Sequence, residues 1–333
     1  MIQKKWYPIF KKGRYINPVI NKKRESIFFE TMPSLLKSFI SRLHKGTLGL
    51  EWMQSDMVQM RSFSPLITWI GHATFLIQVQ NKNILTDPVF GNIAFLFKRY
   101  LPSGIQLSLL PPIDYILISH NHWDHMDLAS LFQLKSRNPQ MKLLVPAGNA
   151  LWFEKRGFLV SEYSWWEKVT FDDITFSFLP SVHWSGRGLF DQNKTLWGSW
   201  MITERLTQTK IYFGGDSAFG DHFIQIAEEF KNIDVALLPI GPCEPSDWMQ
   251  RMHMNSIQAI QAFKILQASK MIPMHWGTFP FGTEASIEPI RKLQNEVRKR
   301  CLDTTSVICL KVGQQFLYIK KIVQIESIKN LEK

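Results

Sequence analysis

The chain has 333 residues, 45% of them hydrophobic, and a net charge of +11. This is long enough for one large domain with a sizeable core. Its three cysteines, Cys243, Cys301 and Cys309, form no CxxC pair, so we expect a reducing compartment and no disulfide framework. No stretch approaches about 18 uncharged apolar residues and the start contains no apolar signal-peptide core, so we expect neither a transmembrane helix nor a secretory signal.

Most of the positive charge lies in the first seventh of the chain. Residues 1–48 hold eleven Lys or Arg and two acids, a net of +9. A segment of this kind is attracted to anionic lipid or to nucleic acid. We predict an irregular stretch over residues 1–31 and then a short basic amphipathic helix, which either packs on the domain or lies on lipid. Its apolar face consists of Leu35, Leu36, Phe39, Ile40 and Leu43.

The rest of the chain alternates strand and helix patterns. Residues 66–79 and 83–89 are predicted as paired strands, and residues 94–101 as a helix or a lipid-facing element. Further strands are predicted at 113–119, 142–146, 169–179, 196–203, 210–213, 235–240 and 270–274, with a closing hairpin at 307–312 and 315–322. Helices are predicted at 128–135, 219–230, 256–268 and 287–300. This order predicts an α+β protein with two sheets covered by helices on the outside.

The stretch with the strongest chemical signal is residues 119–127, S-H-N-H-W-D-H-M-D. His120, His122, Asp124 and His125 carry ligand types that suit a borderline divalent ion such as zinc. They lie between a predicted strand and a predicted helix, where side chains fixed by a sheet can converge. The spacing predicts that the two imidazoles reach one ion and the Asp-His pair a second. The alternative is a solvated polar loop, which the apolar strand directly before the motif disfavours.

Three later residues are further candidate ligands. His183, Asp216 and His275 each follow an apolar run and precede a turn, and Gly214 and Gly215 let the backbone turn before Asp216. Taken singly, each is also explained as a hydrogen-bonded histidine at a strand end or as a turn aspartate.

Several stretches between residues 65 and 285 resemble, in order, the N-acylphosphatidylethanolamine-hydrolysing phospholipase D family of the metallo-β-lactamase superfamily. Two of them are not general features of the superfamily: D-Q-N-K-T-L-W-G-S-W and H-W-G-T-F. The matching stretches are W-I-G-H-A-T (69–74), L-T-D-P-V-F (85–90), L-P-P-I-D-Y-I-L-I-S-H-N-H-W-D-H-M-D (110–127), H-W (183–184), D-Q-N-K-T-L-W-G-S-W (191–200), Y-F-G-G-D-S (212–217), P-I-G-P-C-E-P (239–245) and H-W-G-T-F (275–279).

The resemblance implies an αβ/βα four-layer sandwich over residues 63–325, behind an N-terminal segment 1–62, with two Zn²⁺ per chain. Asp87 and Asp127 would orient ligand imidazoles, although Asp127 is equally explained as a helix N-terminal aspartate. The side chains that would hold zinc are His120, His122 and His183 for one ion, Asp124, His125 and His275 for the other, and Asp216 as the bridge.

The implied reaction is hydrolysis of N-acylphosphatidylethanolamine to N-acylethanolamine and phosphatidate by a metal-bridging hydroxide, with Asp124 among the catalytic residues. His253 would contact the phosphate or assist the leaving group, and His72 is predicted to be structural. Substrate contacts are expected from Trp123, where the family has tyrosine, and from Cys243 and Glu244.

Other functions remain open on these residues. The same fold can carry a lactonase, a sugar-phosphate hydrolase of the ascorbate-6-phosphate type, or a nuclease; a metal-stabilised membrane-binding protein without catalysis is a second alternative. The predicted partners are a phospholipid substrate and an anionic membrane surface, with no nucleic acid and with a homodimer as one option for the assembly. We expect a cytoplasmic protein that associates peripherally with the inner membrane face.

Overall fold

A computed structural model describes residues 5–19, 49–55, 58–93 and 97–320. The predicted amphipathic helix lies outside these residues. The strands are β1 Ile9–Lys11, β2 Arg14–Ile16, β3 Leu66–Gly71, β4 Thr74–Val79, β5 Lys82–Thr86, β6 Tyr115–Leu117, β7 Lys142–Pro146, β8 Leu159–Tyr163, β9 Lys168–Phe171, β10 Ile174–Leu179, β11 Ser199–Glu204, β12 Lys210–Phe213, β13 Val235–Pro239, β14 Lys270–Met274 and β15 Gln315–Leu317. The helices are α1 Leu128–Arg137, α2 Ala150–Glu154, α3 His222–Glu229, α4 Ser246–Met249, α5 Ser256–Ile265 and α6 Glu288–Lys299.

Two mixed sheets form the centre of the molecule. One has seven strands in the order β15-β3-β4-β5-β6-β7-β8, and the other has six in the order β14-β13-β12-β11-β10-β9. Phe75, Trp200 and Phe213 belong to the apolar core between the sheets. Helices α1 and α2 pack on the outer face of the first sheet, and α3, α5 and α6 on the outer face of the second. The predicted four-layer sandwich is therefore confirmed.

Burial on both faces explains why several strands lack the alternating pattern of a surface strand. Strands β3, β4 and β13 are buried along their whole length, because one face meets the central core and the other meets a helix or covering loop. Such strands are expected as continuous apolar runs. Because these apolar runs are continuous, the sequence does not show where one strand ends and the next begins. The predicted strand 66–79 is the hairpin β3–β4, with its turn at His72, and the predicted strand 169–179 is the hairpin β9–β10, with its turn at Asp172.

The closing hairpin predicted at 307–322 is wrong. Strand β15 pairs antiparallel with β3, and Val307 forms an isolated bridge with Met271. The run contains two apolar segments separated by a glycine. The second segment pairs with β3 in the first sheet, whereas the first contacts β14 in the second sheet. Residues 97–101 are likewise not helical, since Phe97 forms a bridge with Ile93. Strand β8 and helix α2 were absent from the sequence prediction.

The described parts of residues 1–62 pack on the domain. Residues 5–19, predicted to be irregular, contain the hairpin β1–β2. The carbonyl of Trp6 accepts from Trp166 Nε1 at 2.6 Å, and Asn17 Nδ2 donates to the carbonyl of His183 at 2.5 Å. Among the described helices, none combines the length and the apolar character needed to cross a bilayer.

Candidate metal centre

The predicted ligands come together where strands end. Residues 118–127 form a loop between β6 and α1, and His183 and Asp216 follow β10 and β12 within a few residues. His275 comes directly after β14, with φ of 62°. Because neighbouring strands of both sheets end at the same edge, side chains that are far apart in the sequence meet there.

His120, His122 and His183 form what we call the first cluster. His120 Nε2 lies 2.7 Å from His122 Nδ1, and His183 Nε2 lies 3.2 Å from the same atom. All three ligand nitrogens lie within 4.8 Å of one another, so one ion can reach all of them.

Asp124, His125 and His275 form the second cluster. Asp124 Oδ2 lies 3.2 Å from His125 Nε2 and 3.5 Å from His275 Nε2. The two imidazole nitrogens are 3.3 Å apart. These atoms and His72 Nε2 fall within the same 4.8 Å limit.

Asp216 lies between the two clusters. Its Oδ1 is 3.1 Å from His275 Nε2, and its Oδ2 is 3.2 Å from His125 Nε2. The same Oδ2 lies 3.7 Å from His183 Nε2 and 4.0 Å from His120 Nε2. Asp216 is therefore placed to contribute a ligand atom to either cluster.

Outer hydrogen bonds fix the tautomers of the ligand imidazoles. His183 Nδ1 donates to the carbonyl of Met252 at 2.9 Å, and His275 Nδ1 donates to the carbonyl of Gly241 at 2.9 Å. A carbonyl only accepts, so Nδ1 carries a proton in both rings, and in the neutral form of each ring the Nε2 lone pair faces the cluster. Metal-ligating histidines need this arrangement.

Asp87 fixes one imidazole in each cluster. Its Oδ2 accepts from His125 Nδ1 at 2.7 Å and from Ser119 Oγ at 2.5 Å, and its Oδ1 accepts from the amide of Ser119 at 2.7 Å. Ser119 Oγ lies 2.9 Å from His120 Nδ1 and accepts a hydrogen bond from it, because its own hydroxyl donates to Asp87. Asp87 thus orients His125 directly and His120 through Ser119.

The two clusters bring buried acceptor atoms close to one another. Four Nε2 atoms, His122 Nδ1 and the oxygens of two carboxylates converge, and Asp216 Oδ1 is buried without a hydrogen-bond partner among the described residues. Buried acceptors that face one another repel unless a positive charge lies between them. Imidazole nitrogen with carboxylate oxygen is a donor set for zinc and for other divalent transition metals. The residues therefore fit a pair of divalent ions.

The pKa values show the same surplus of negative charge. Burial lowers the pKa of His122 to about 4 and that of His183 to about 3, so both are neutral at pH 7. Burial also acts to lower the pKa of His275, but Asp216 and Asp124 outweigh it and raise that pKa to about 9. Burial tends to raise the pKa of Asp216, yet the nearby imidazoles, His125 foremost, hold it well below its usual range. A cation neutralises the two carboxylates and leaves the histidines free to act as neutral ligands.

Two further histidines lie against the clusters. His253 Nδ1 is 3.7 Å from Asp216 Oδ2, and its ring centroid is 5.2 Å from that of His183, so the predicted contact residue lies beside the centre. His72, which was predicted to be structural, donates from Nε2 to Asp124 Oδ2 at 2.9 Å. The prediction for His72 was incomplete, because only the β3–β4 turn brings this side chain to a residue 52 positions away.

Two other predicted roles change on the structure. Asp127 caps α1: its carboxylate accepts from the amide and hydroxyl of Ser130 at 3.1 and 2.6 Å, so the alternative interpretation applies. The thiol of Cys243 is buried and donates to the carbonyl of Ile240, so it does not present a substrate contact. Glu244 accepts from the amide of Ser246 and lies 3.8 Å from Lys292, in a partly exposed position, and its substrate contact stays a prediction.

Trp123, another predicted substrate contact, also reaches the surface. Its side chain is 45% exposed, and its indole Nε1 donates to the carbonyl of Arg187 at 2.9 Å.

Sequence reasoning missed Ser119, Arg187 and Glu284. Glu284 accepts from the amides of Cys243 and Glu244 and so holds the loop that carries Gly241. The only sequence signal for Ser119 was its place beside the His-x-His motif; the other two gave none.

Comparison with known proteins places this chain in a family of hydrolases. A family model described as a beta-lactamase superfamily domain matches residues 82–276. N-acyl-phosphatidylethanolamine-hydrolyzing phospholipase D 1 of Caenorhabditis elegans is 35% identical over 265 residues, which cover 74% of this chain and 74% of that protein. The mitochondrial protein of the same name from Saccharomyces cerevisiae is 35% identical over 240 residues, which cover 68% of this chain and 50% of that protein.

Solved structures show the same fold at lower identity. Igni18, a metallo hydrolase from Ignicoccus hospitalis, superposes with a TM-score of 0.60 at 21% identity, over 78% of this chain and all of that chain. CmlA, a diiron beta-hydroxylase from Streptomyces venezuelae, superposes with a TM-score of 0.57 at 19% identity, over 77% of this chain and 55% of that chain.

Proposed function

Because the chain belongs to the beta-lactamase superfamily and, within it, to the N-acyl-phosphatidylethanolamine-hydrolysing phospholipase D family, we propose that it cleaves N-acylphosphatidylethanolamine to N-acylethanolamine and phosphatidate. The family makes it a phosphoric diester hydrolase, so the alternative of a membrane-binding protein without catalysis is set aside. The observation that carries the substrate proposal is the 35% identity over three quarters of a named phospholipase D, joined to two ligand clusters bridged by Asp216.

The proposed cofactor is a pair of Zn²⁺ ions. The first cluster with Asp216 would hold one ion, and the second cluster with Asp216 the other. When bound, two divalent ions supply Lewis-acid charge to the phosphodiester and an activated water at neutral pH.

The chain's own residues hold this centre in a single arrangement. Asp124 stays ionised because its neighbours, His125 first, offset its burial and keep its pKa well below the usual range. His72 donates to the same carboxylate and orients it. Burial lowers the pKa of His253 to about 3, so at pH 7 it is a neutral imidazole with one N–H. We assign it the role of hydrogen-bonding a phosphate oxygen beside Asp216.

The decisive experiment measures metal and reaction together. Purified protein is assayed for zinc, iron and manganese and then incubated with N-acylphosphatidylethanolamine, phosphatidylcholine and an oligonucleotide. We expect about two zinc ions per chain and release of N-acylethanolamine from the first lipid. Two metal ions with neither lipid cleaved would contradict the substrate assignment and favour another phosphodiester or a lactone.

We further propose that the protein docks on an anionic membrane surface. The described hairpin β1–β2 exposes Ile9 and Phe10 next to Lys11 and Lys12. Arg14 of this hairpin donates to the carbonyl of Phe190, so the hairpin adjoins the loop after His183. In that loop Leu189 and Phe190 are 70% and 79% exposed. Apolar side chains among basic ones are typical of an interfacial surface.

Replacing both exposed loop residues tests this surface. Burial of each side chain in lipid would contribute about 1.5–3 kcal/mol, so we expect Leu189→Ser with Phe190→Ser to weaken binding to anionic vesicles at least about tenfold. Leu206→Ser is the matched control, because Leu206 is 63% exposed on the turn between β11 and β12. Co-sedimentation with phosphatidylglycerol vesicles measures the effect. Equal loss in both variants would contradict this docking surface.

A further inference from the structure

Arg187 connects the two loops that carry the first cluster. It lies four residues after His183, and its guanidinium reaches across to the loop of residues 121–126. Nη1 donates to the carbonyl of Met126 at 2.6 Å and to that of Asn121 at 2.9 Å, with a longer contact of 3.4 Å to the carbonyl of His122. One side chain thus binds the carbonyls of residues 121, 122 and 126 of the motif loop.

The contacts between the loops are reciprocal. Asn121 Oδ1 accepts from the amide of Gly186 at 2.7 Å, and Trp123 Nε1 donates to the carbonyl of Arg187 at 2.9 Å. The ring of Trp123 also covers the guanidinium, with 4.1 Å between Arg187 Cζ and the ring centroid. Asp191 closes the turn of residues 187–191, because its carboxylate accepts from the amide of Arg187 at 3.0 Å.

The motif loop depends on such contacts for its shape. Between β6 and α1 it contains only turn geometry, and its internal backbone bonds are those from His125 and Met126 to the carbonyl of His122. The carbonyls of residues 121, 122 and 126 point toward Arg187. The side chains of His122 and Asp124 therefore point away from it, toward the clusters.

The guanidinium keeps its charge in a largely enclosed position. Its Nη2 is buried without a hydrogen-bond partner among the described residues. Burial lowers the pKa of Arg187 to about 10, still well above neutrality, and Asp127, Asp191 and Asp124 act in the opposite direction. Burying a cation costs free energy unless hydrogen bonds and nearby negative charges offset it, and here the loop carbonyls accept from Nη1 while these carboxylates lie nearby.

We infer that Arg187 is a positioning residue of the metal centre, which holds the loop bearing His122, Asp124 and His125 against the loop bearing His183. The first cluster takes ligands from both loops, whereas the second takes its remaining ligand from the end of β14. Loss of Arg187 therefore disturbs the first cluster more than the second. This inference rests on the metal centre proposed above.

Cobalt titration tests the inference without relying on turnover. Metal-free wild type, Arg187→Ala and Arg187→Lys are titrated with Co²⁺ under argon and followed by visible absorption, which reports ligand geometry. We expect two binding steps in the wild type. In Arg187→Ala one step weakens about 10- to 100-fold and its absorption band shifts, as is typical when an outer hydrogen bond to a metal site is removed. Arg187→Lys, which keeps one charged donor, recovers part of the loss.

Arg137→Ala is the matched control for loss of an arginine that bonds backbone carbonyls. Arg137 donates to the carbonyls of Leu107 and Leu110 at 2.6 and 3.2 Å, away from the clusters. We expect it to reproduce any general loss of stability while leaving both cobalt steps and their spectra as in the wild type. Identical cobalt spectra and affinities in wild type and Arg187→Ala would overturn the inference. A wild type that takes up no Co²⁺ would instead overturn the proposed metal centre itself.

Discussion

Asp124→Ala is expected to abolish hydrolysis, with kcat/KM falling by at least about three orders of magnitude, and to lower the metal content by about one ion per chain. The substitution removes the carboxylate of the second cluster, which lies within 3.5 Å of both ligand nitrogens there. It also leaves His72 without its acceptor. The two measurements are turnover of N-acylphosphatidylethanolamine and zinc per chain in the same preparation.

His275→Ala should behave in the same way, because it removes an imidazole from the same cluster. Asp303→Ala serves as the control, since Asp303 lies on an exposed turn and bonds Thr305. Both ligand variants should remain folded by circular dichroism, because the apolar core between the sheets is untouched. A fully active Asp124→Ala protein without bound metal would rule out the mechanism.

Gly215→Ala is expected to destabilise the fold by about 3 kcal/mol and to weaken metal binding at the same time. Gly215 has φ of +55°, and a Cβ at this position would lie 2.6 Å from Cβ of Ser119 and 3.0 Å from the carbonyl of Gly198. Neither neighbour can retreat easily. Ser119 is buried and bonded to Asp87 and His120, so displacing it transmits the clash to both clusters. Urea denaturation and a metal-competition titration with a chromogenic chelator measure the two effects.

Two other glycines separate the causes of this loss. Gly13 has φ of +74° with nothing within 4 Å of the added Cβ, so Gly13→Ala should show only the cost of the backbone conformation, about 1 kcal/mol. Gly91 is open and has no unusual φ, so Gly91→Ala should be close to neutral. If Gly215→Ala destabilised no more than Gly13→Ala, crowding against Ser119 would play no part.

The metal-ligand candidates were visible in the sequence because each is encoded locally. A ligand-type side chain directly after an apolar run predicts a strand end, and the S-H-N-H-W-D-H spacing places four of them in one loop. His183, Asp216 and His275 follow the same rule, and the structure brings them to that loop. Their assignment to two zinc ions stays a prediction. The family resemblance supplied their pairing, which spacing alone left open.

Other roles depended on contacts that no local pattern reports. The segment 119–127 cannot show whether Asp127 bonds an imidazole or Ser130, because both partners suit an aspartate. The motif P-I-G-P-C-E-P cannot show that the thiol of Cys243 points inward. His72 resembled a turn residue until the fold placed it against Asp124.

By itself, the sequence indicated the α+β class and the candidate ligands, because alternation of apolar runs and polar strand ends is a property of neighbouring residues. The four-layer sandwich and the family came from the resemblance of its motifs to a known family. The tertiary structure alone decided the partners of β15, the contact of His72 with Asp124 and the hydrogen bonds between Arg187 and residues 121–126. These contacts join residues 52 or more positions apart. Which distant groups meet depends on how the two sheets stack and where their strands end, and that is settled only when the whole core packs.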